Sequence, residues 1–358
     1  MGTSIWEKLK WVFLTALRFG RTAYPLTRLG ARLILAALVA AASPIFLLSI
    51  EFESGYVFDS IEFTAQDASL VSALISLIAA FSGVALIYKE WQQKTRHTAK
   101  ALIASLPGCS TDFPEYILDS SEKPFLREAV LLGRSDGYAE DIKAQLDRYN
   151  AELYVDMFNR FVLHNNCRKL YIGGLARVPF LVAYGALLRN TSAEIKFFDK
   201  LHQDGKWSLL DDVNIKINIK NGATNVNVNP DGDIGLAVGF SSRISTTQLP
   251  SELREFTKIL EPTVDPERNL FKNQDNLNEI ADKIGRHIDE LSALPESKRI
   301  HLFLSVQSSL AIAIGRRYQE GMHKNWVIHN YDAQSGVYSW SVEMSKQGIK
   351  LDLCNQKN

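Results

Sequence analysis

The chain contains few cysteines and no familiar catalytic motif. Only three cysteines occur in 358 residues, and Cys109, Cys167 and Cys354 are too far apart to match a zinc-binding or disulfide spacing. The sequence has no HExxH, GxSxG, Walker or GxGxxG motif, and its seven histidines show no metal-ligand spacing. We therefore expect a protein that is not an enzyme and that holds no metal and no cofactor.

The chain also lacks an excess of charge of either sign. Its 40 Lys plus Arg balance 40 Asp plus Glu, and residues 101–358 carry 30 of the basic residues against 33 of the acidic ones. A nearly neutral surface offers no basic field that would attract a long nucleic acid. We expect no partner of that class.

Two long stretches contain no charged residue: Leu33 to Ile50, with 18 residues, and Ala68 to Tyr88, with 21. These lengths suit helices that cross a hydrocarbon core of ~30 Å. The loop between them has five acids and no Lys or Arg, whereas both outer flanks are basic, so the positive-inside rule places both termini in the cytosol. A cleaved signal peptide or a pair of buried core helices fits less well, because a second span follows the first and neither stretch has a polar face.

The sequence thus predicts four regions. Residues 1–32 form an interfacial amphipathic segment that contacts membrane lipid, and residues 33–88 form two transmembrane helices with a short exported loop. Residues 89–124 form a linker, because Pro107, Gly108, Pro114 and Pro124 interrupt any helical pattern there. Residues 125–358 form a cytosolic globular domain.

Small residues line one side of the second predicted span at intervals of three to four positions. Such a stripe lets helix backbones approach closely in lipid, either between chains, as the seam of an oligomer, or against the first span of the same chain. Pro44 should kink or weaken that first span. The residues of the stripe are Ser69, Ser72, Ser76, Ala80 and Gly83.

The globular region contains a weak internal duplication with a period of about 130 residues. Each copy consists of a strand, a short turn, an apolar helix and a second strand, which is the pattern of a parallel α/β sheet with covered faces. The first copy comprises Lys169 to Gly174, Val178 to Leu188 and Glu194 to Asp199, and the second comprises Arg299 to Leu304, Ser308 to Arg317 and Trp326 to Tyr331. Between the copies we predict strands at Val213 to Ile219 and Ile234 to Phe240, followed by a helix at Gln274 to Leu294.

Ligands of such sheets bind outside the carboxyl ends of the strands, where helix N-termini offer free N–H groups. The turns at these positions contain small, hydroxylated and basic residues, and their equivalent placement in two copies predicts a cleft suited to a pseudo-symmetric ligand. The simpler interpretations are that paired glycines make a tight turn and that serines cap a helix. The candidates are Gly173, Gly174 and Arg177 in the first turn, and Ser305, Gln307, Ser308 and Ser309 in the second.

Three segments resemble the SAVED domain, the sensor module of bacterial cyclic-oligonucleotide antiphage systems (CBASS). They are KLYIGGLARVPFLVAYGALL, IGLAVGFSSRI, and HLFLSVQSSLAIAIGRRY followed by WVIHNYDAQSGVYSW, within about residues 125 to 350. The resemblance implies two fused CARF-like, Rossmann-type units that bind a cyclic di- or trinucleotide made by a partner nucleotidyltransferase. It adds Lys200, Ser241, Ser242 and Tyr331 to the predicted ligand-binding residues. Tyr331 stacks on a base or caps the core.

Two membrane spans ahead of this sensor resemble the membrane-acting branch of the family. The implied function is that of an antiphage effector in the bacterial inner membrane, which binds its nucleotide, forms homo-oligomers and disrupts the membrane, causing abortive infection. The alternatives are a membrane-anchored receptor that recruits a separate effector and a structural anchor without a ligand. Ring nuclease activity, known for some CARF-type relatives, is conceivable, but the resemblance includes no residues that would perform it.

Overall fold

The computed structural model describes most of the chain as two compact units. It covers residues 25–42, 47–51, 60–64, 70–95, 98–106, 114–118, 127–132, 141–163, 167–189, 191–202, 205–213, 216–220, 226–319, 321–345 and 347–352. The described part of the first unit ends at residue 95, and the second unit begins at residue 96. Residues 1–24 of the predicted interfacial segment lie outside the described residues.

The first unit is a pair of helices joined by a two-stranded ribbon. Helix α1 spans Pro25–Ala42 and helix α2 spans Leu70–Thr95. Between them, β1 (Leu47–Glu51) pairs in antiparallel fashion with β2 (Ser60–Thr64). The proline at the first position of α1 suits a helix start, where its missing N–H is not needed.

The two helices pack closely where a glycine of one faces a glycine of the other. A Cβ atom at Gly30 would lie 2.5 Å from the carbonyl oxygen of Gly83, and one at Gly83 would lie 2.6 Å from that of Gly30. Gly83 therefore contributes to a contact between the helices of one chain. Among the other residues of the predicted stripe, Ser76 and Ala80 are half-buried. Ser69 lies outside the described residues, and so does the side chain of Ser72.

One helical stretch among the described residues, Leu74–Gln92, is long and apolar enough to cross a membrane, and it overlaps the second predicted span. Helix α1 begins at Pro25, eight residues before the predicted first span. The predicted C-terminal end of that span is wrong, because the residues from Leu47 to Ile50 belong to β1. Helix α1 instead ends two residues before Pro44, in keeping with the steric restriction that proline places on the residue before it.

The first half of the second unit is a five-stranded sheet with the order β4-β3-β5-β6-β7, in which only β7 is antiparallel to its neighbour. Two α-helices and two shorter helical segments accompany it. The strands are β3 (Thr98–Ala104), β4 (Arg127–Leu131), β5 (Lys169–Leu175), β6 (Glu194–Lys200) and β7 (Trp207–Leu209). The helices are α3 (Ile142–Tyr154) and α4 (Val178–Leu187), with a 3₁₀ turn at Glu115–Ile117 and a π-helical segment at Phe158–Leu163.

The second half is a six-stranded sheet with the order β13-β12-β11-β10-β8-β9, parallel from β9 to β11 and antiparallel beyond. Its strands are β8 (Asp233–Gly239), β9 (Thr257–Leu260), β10 (Arg299–Ser305), β11 (Asn325–Asp332), β12 (Val337–Ser345) and β13 (Gly348–Asp352). Its helices are α5 (Gln274–Ser292) and α6 (Ser308–Gly315), with 3₁₀ turns at Thr246–Gln248 and Ser251–Leu253.

The two halves repeat one topology, which confirms the predicted duplication and the α/β fold class. In each half the first strand lies between the second and third, and a helix then leads from the third strand to the fourth. The helices α4 and α6 pack against each other at Gly185 and Gly315. A Cβ atom at Gly185 would lie 2.2 Å from the carbonyl oxygen of Ile312, and one at Gly315 would lie 2.0 Å from that of Val182. One continuous apolar core includes residues of both halves.

Two further sequence predictions are wrong. The linker predicted for residues 89–124 contains the end of α2 and also β3, which lies between β4 and β5 within a sheet. The strand predicted for Val213 to Ile219 is absent from the described part of that range, where Ile219 makes only an isolated bridge to Pro262. Alternating apolar residues do not make a strand unless a partner backbone pairs with them.

The position of β3 leads to a prediction about fragments. A fragment of residues 125–358 lacks β3 and leaves the backbone groups of β5 from Lys169 to Leu175 unpaired on one side. Because unpaired buried backbone groups are strongly unfavourable, we expect this fragment to be insoluble or unfolded and a fragment of residues 96–358 to fold. Circular dichroism and cooperative urea unfolding of both fragments test this. Equal cooperativity would contradict the placement of β3.

Candidate functional site

The carboxyl end of β6 in the first half lies against the start of α6 in the second half. A buried carboxylate, that of Asp199 in β6, links the halves directly. Its Oδ1 accepts a hydrogen bond of 3.0 Å from the backbone N–H of Ser309, and its Oδ2 accepts one of 2.8 Å from the side-chain amide of Gln307. The first half therefore holds the start of α6 in the second half.

The side chain of Gln307 is fully engaged within the protein. Its oxygen accepts from the N–H of Phe271 at 2.8 Å, and its nitrogen also donates to the carbonyl of Phe271 at 2.9 Å. Ser309 is completely buried beside Asp199. Gln307 and Ser309, two predicted ligand contacts, thus shape the second turn through internal hydrogen bonds.

The remaining serines lie together at the ends of β8 and β10. The hydroxyls of Ser242 and Ser305 are 2.7 Å apart, and the N–H of Ser241 donates to the carbonyl of Ser305 at 2.7 Å. Ser308, the first residue of α6, is half-buried. These four residues place hydroxyl groups at the carboxyl ends of β8 and β10.

The paired glycines of the first turn lie within β5 and are buried. A Cβ atom at Gly173 would lie 2.3 Å from the carbonyl oxygen of Phe198, and one at Gly174 would lie 2.7 Å from that of Ile103. Contacts with the neighbouring strands therefore explain why both positions are glycine. The structure gives them a packing role and leaves Arg177 as the polar residue of this turn.

Arg177 directly precedes α4, in an extended conformation, and is half-buried. Its guanidinium carbon lies 5.9 Å from the ring centroid of Trp340 in the second half, which is a cation–π arrangement. Its buried Nε has no hydrogen-bond partner in the part of the chain that the structure describes. The positive charge of Arg177 also contributes to lowering the pKa of Asp332, after the hydrogen bonds from Ser335 and Gln334.

Lys200 and Tyr331 lie at corresponding positions of β6 and β11, one residue after Asp199 and Asn330. Lys200 is half-buried, and it makes no ion pair with the described residues. Tyr331 is 41% exposed and packs edge-on against Tyr338 with ring centroids 5.4 Å apart. A ring exposed to this degree can both support the core and stack on a base.

A family model described as "SMODS-associated and fused to various effectors sensor domain", SAVED, matches residues 156–344. This match covers more than half of the chain. The chain belongs to the SAVED family. The matched residues include β5, α4 and the whole second half through Met344, and therefore every candidate site residue.

Solved structures of SAVED proteins are similar to this chain at low sequence identity. The Acinetobacter baumannii Cap4 SAVED/CARF-domain containing receptor with the cyclic trinucleotide 3'3'3'-cAAA has 13% identity and a TM-score of 0.45, covering 77% of this chain and 60% of its own. The same receptor with 2'3'3'-cAAA has 12% identity and a TM-score of 0.45, with coverage of 77% and 59%. The Moraxella osloensis Cap4 receptor has 12% identity and a TM-score of 0.38, with coverage of 80% and 59%.

This chain thus spans about three fifths of the length of these receptors. No curated protein matches it.

Sequence reasoning missed two features of the candidate site. Asp199 is an ordinary acid in the sequence, and only the packing of the two halves shows that it bridges them. The other feature is residues 267–271, which we call the strap, where Glu267 donates its N–H to the carbonyl of Phe240 at 3.1 Å and Phe271 pairs with Gln307. The strap runs across the strand ends of both halves.

A second buried polar group of the SAVED domain lies inside the second sheet. Nδ1 of His301 and Nε2 of His329 are 2.9 Å apart, and burial and the neighbouring His301 hold the pKa of His329 well below its usual range. Burial raises the pKa of Asp233, but the nearby ring of His301, with Nε2 3.5 Å from Oδ1, and the hydrogen bonds from Arg299 outweigh it and leave that pKa below its usual range. This arrangement gives His329 a structural role inside the sheet.

No group of three or more His, Cys, Asp or Glu side chains that could hold a metal ion occurs among the described residues. Cys109 and Cys354 lie outside those residues.

The buried carboxylate leads to a prediction about pH. Burial raises the pKa of Asp199 from its ordinary 3.8 to about 6, against the lowering effect of the hydrogen bonds from Ser309 and Gln307. Because the folded protein holds this proton more tightly than the unfolded chain, the contribution to stability is complete below pH ~4 and is lost as the pH rises through about 6. The free energy of unfolding should fall by about 3 kcal/mol across this window.

Asp199→Asn should remove this part of the pH dependence. Urea unfolding of the wild-type chain and of the variant in detergent, at intervals from pH 4 to pH 7.5, measures the difference between their profiles. Parallel profiles would show that Asp199 does not titrate in this window.

Proposed function

We propose that this chain is an antiphage effector of the bacterial inner membrane that senses a cyclic di- or trinucleotide through its SAVED domain. Ligand binding leads to homo-oligomerisation, disruption of the membrane and abortive infection. The observation that carries the proposal is the edge where the two halves meet, with Arg177 on one turn and serine hydroxyls on the other. The nucleotide is the activating ligand, and the proposal includes no metal, cofactor or enzymatic step.

The ligand class follows from the chemistry and symmetry of this edge. Arg177 supplies a charge suited to a phosphodiester, and its guanidinium can donate two parallel hydrogen bonds to phosphate oxygens. The hydroxyls of Ser242, Ser305 and Ser308 can both donate to phosphate and accept from base or ribose groups. A cyclic oligonucleotide repeats phosphate and base around a ring, as the two halves repeat turn and helix around the α4–α6 contact.

The membrane part of the proposal is supported by the first unit. Both helices span the membrane in this account, and the basic outer flanks with an acidic loop place both termini in the cytosol. Helix α2 presents a broad apolar surface that suits contact with lipid. The large side chains exposed there are Leu74, Ile75, Leu77, Ile78, Phe81 and Val84.

Assembly couples the two functions. A ligand shifts an equilibrium only through its preference for one state, so the nucleotide must bind the assembled form more tightly than the free chain. Stacked SAVED domains would then concentrate their helix pairs in one area of membrane. Because Gly83 already packs against Gly30 within one chain, contacts between chains use the outward faces of these helix pairs.

Isothermal titration calorimetry with a panel of cyclic di- and trinucleotides tests the sensor function of the full chain in detergent. Sedimentation velocity of the same samples follows assembly. The expected result is selective tight binding of one nucleotide together with a larger sedimentation coefficient. Absence of binding across the panel would contradict the sensor function.

The alternative is a membrane-anchored receptor that recruits a separate effector. It is supported by the same edge and the same helices, because neither requires the helices to break the membrane themselves. In that case the nucleotide binds with the same affinity, and liposomes that contain the chain stay sealed.

The glycine contact of the first unit gives a third prediction. Gly83→Leu would place a large side chain where even a Cβ atom would lie 2.6 Å from the carbonyl oxygen of Gly30. We expect the helices to separate, with a lower melting temperature of the chain in nanodiscs and no change in nucleotide affinity. Val84→Leu, at an exposed neighbouring position, is the matched control and should leave the melting temperature unchanged. Equal melting temperatures for both variants would show that the glycine contact is unimportant.

A further inference from the structure

The strap brings a basic side chain of the second half to the first half. Asn269, in the amide orientation that satisfies both groups, donates to the carbonyl of Lys200 at 3.2 Å and accepts from the N–H of His202 at 2.8 Å. Phe271, at the other end of the strap, holds the amide of Gln307. The strap is therefore fixed to the second turn and to the segment at the end of β6.

Arg268 of the strap lies against His202, which follows β6. Nη1 of Arg268 is 2.8 Å from Nε2 of His202, and both side chains are exposed. Because a guanidinium has only donors, the imidazole nitrogen accepts this hydrogen bond. It joins the two halves at the carboxyl end of β6.

This pair has no acidic partner among the described residues. Other exposed or half-buried cations do have such partners, for example Arg243 with Asp265 at 3.0 Å and Lys283 with Glu279 at 2.6 Å. The contacts of Arg268 with His202, at 2.8 Å to Nε2 and 3.3 Å to Nδ1, use only Nη1 of the guanidinium, and the neighbouring Lys200 also lacks an ion pair with the described residues. An exposed, uncompensated guanidinium beside a strand end is suited to an anion.

We propose that Arg268 and His202 form an anion subsite that receives a phosphate of the cyclic nucleotide and spans both halves of the SAVED domain. The inference rests on the proposed function and extends it. The guanidinium donates to two phosphate oxygens, and the imidazole of His202 holds it beside the end of β6. Since one residue comes from each half, phosphate binding here draws the halves together.

Calorimetry of the full chain in detergent with 3'3'3'-cAAA, 2'3'3'-cAAA and a set of cyclic dinucleotides tests the subsite. Arg268→Gln and His202→Gln should each raise the dissociation constant of the nucleotide that binds by about tenfold, and Arg268→Lys should raise it less. The affinity of Arg268→Gln should also depend less steeply on salt concentration than that of the wild-type chain. Arg286→Gln, the same change at an exposed position of α5, is the control and should leave affinity unchanged.

Inorganic pyrophosphate is a probe without bases that separates the two proposals. Equal nucleotide affinities of the wild-type chain and Arg268→Gln would overturn the subsite and leave the sensor function intact. Pyrophosphate binding that depends on Arg268, without binding of any nucleotide, would support the subsite and contradict the sensor function. Absence of binding by every probe would overturn both.

Discussion

Alanine in place of Gly185 is expected to lower the free energy of unfolding by about 3 kcal/mol and to weaken nucleotide binding with it. The new Cβ atom would lie 2.2 Å from the carbonyl oxygen of Ile312, a backbone atom in the middle of α6. The two helices would have to move apart, and the turns that begin them would move too. Since both halves share one core, this displacement affects the whole domain.

The predicted loss of stability is opposite in sign to the usual effect of replacing a helical glycine by alanine. In an exposed helix a Gly→Ala change stabilises by about 1 kcal/mol, so a large loss shows that close packing outweighs helix propensity. Gly285→Ala is the matched control, because its new Cβ atom would meet only the flexible side chain of Arg317, at 3.2 Å. Urea unfolding of both variants should show a large loss for the first and little change for the second. Similar stabilities would contradict the α4–α6 contact.

Charge reversal at Arg177 is expected to weaken nucleotide binding by at least about a hundredfold. Glutamate would replace the only charged donor of the first turn with an anion that repels phosphate. It would also lie near Asp332, whose pKa Arg177 helps to lower. The cation–π contact with Trp340 would be lost as well, although a contact of this kind contributes only about 1 kcal/mol.

Two further variants distinguish the effect of the charge at position 177 on nucleotide binding from an effect on the fold. Arg177→Lys keeps the positive charge without the planar fork and should bind with intermediate affinity. Arg286→Glu makes the same charge reversal on the exposed side of α5 and should bind as the wild-type chain does. Calorimetry with the nucleotide panel gives all three affinities. An unchanged affinity for Arg177→Glu would remove Arg177 from the site.

The duplication was predictable because apolar strands and helices recur at a fixed spacing, and both copies fold as expected. The strand β3 could not be predicted from the sequence, because its partner β5 begins about 70 residues later and the intervening prolines look like a linker. Local pattern cannot show pairing at that distance.

The sequence predicts which residues lie at the strand ends, but it does not predict the contacts that each of them makes. A glycine pair at the end of a strand can admit a ligand or a neighbouring strand, and Gly173 and Gly174 do the latter. The polar side chain of Gln307 looks available for a ligand until Asp199 and Phe271 are placed beside it. Arg268 and His202 have no pattern in common and meet only through the strap.

Dye leakage from liposomes that contain only this chain, measured as its nucleotide is added, tests whether the chain itself disrupts a membrane. The nucleotide is the member of the panel that calorimetry shows to bind, and Arg177→Glu serves as the binding-deficient control. We expect leakage that begins at nucleotide concentrations near the dissociation constant and is absent for the control. Full binding of the nucleotide with liposomes that stay sealed would contradict membrane disruption by this chain and would favour the recruiting receptor.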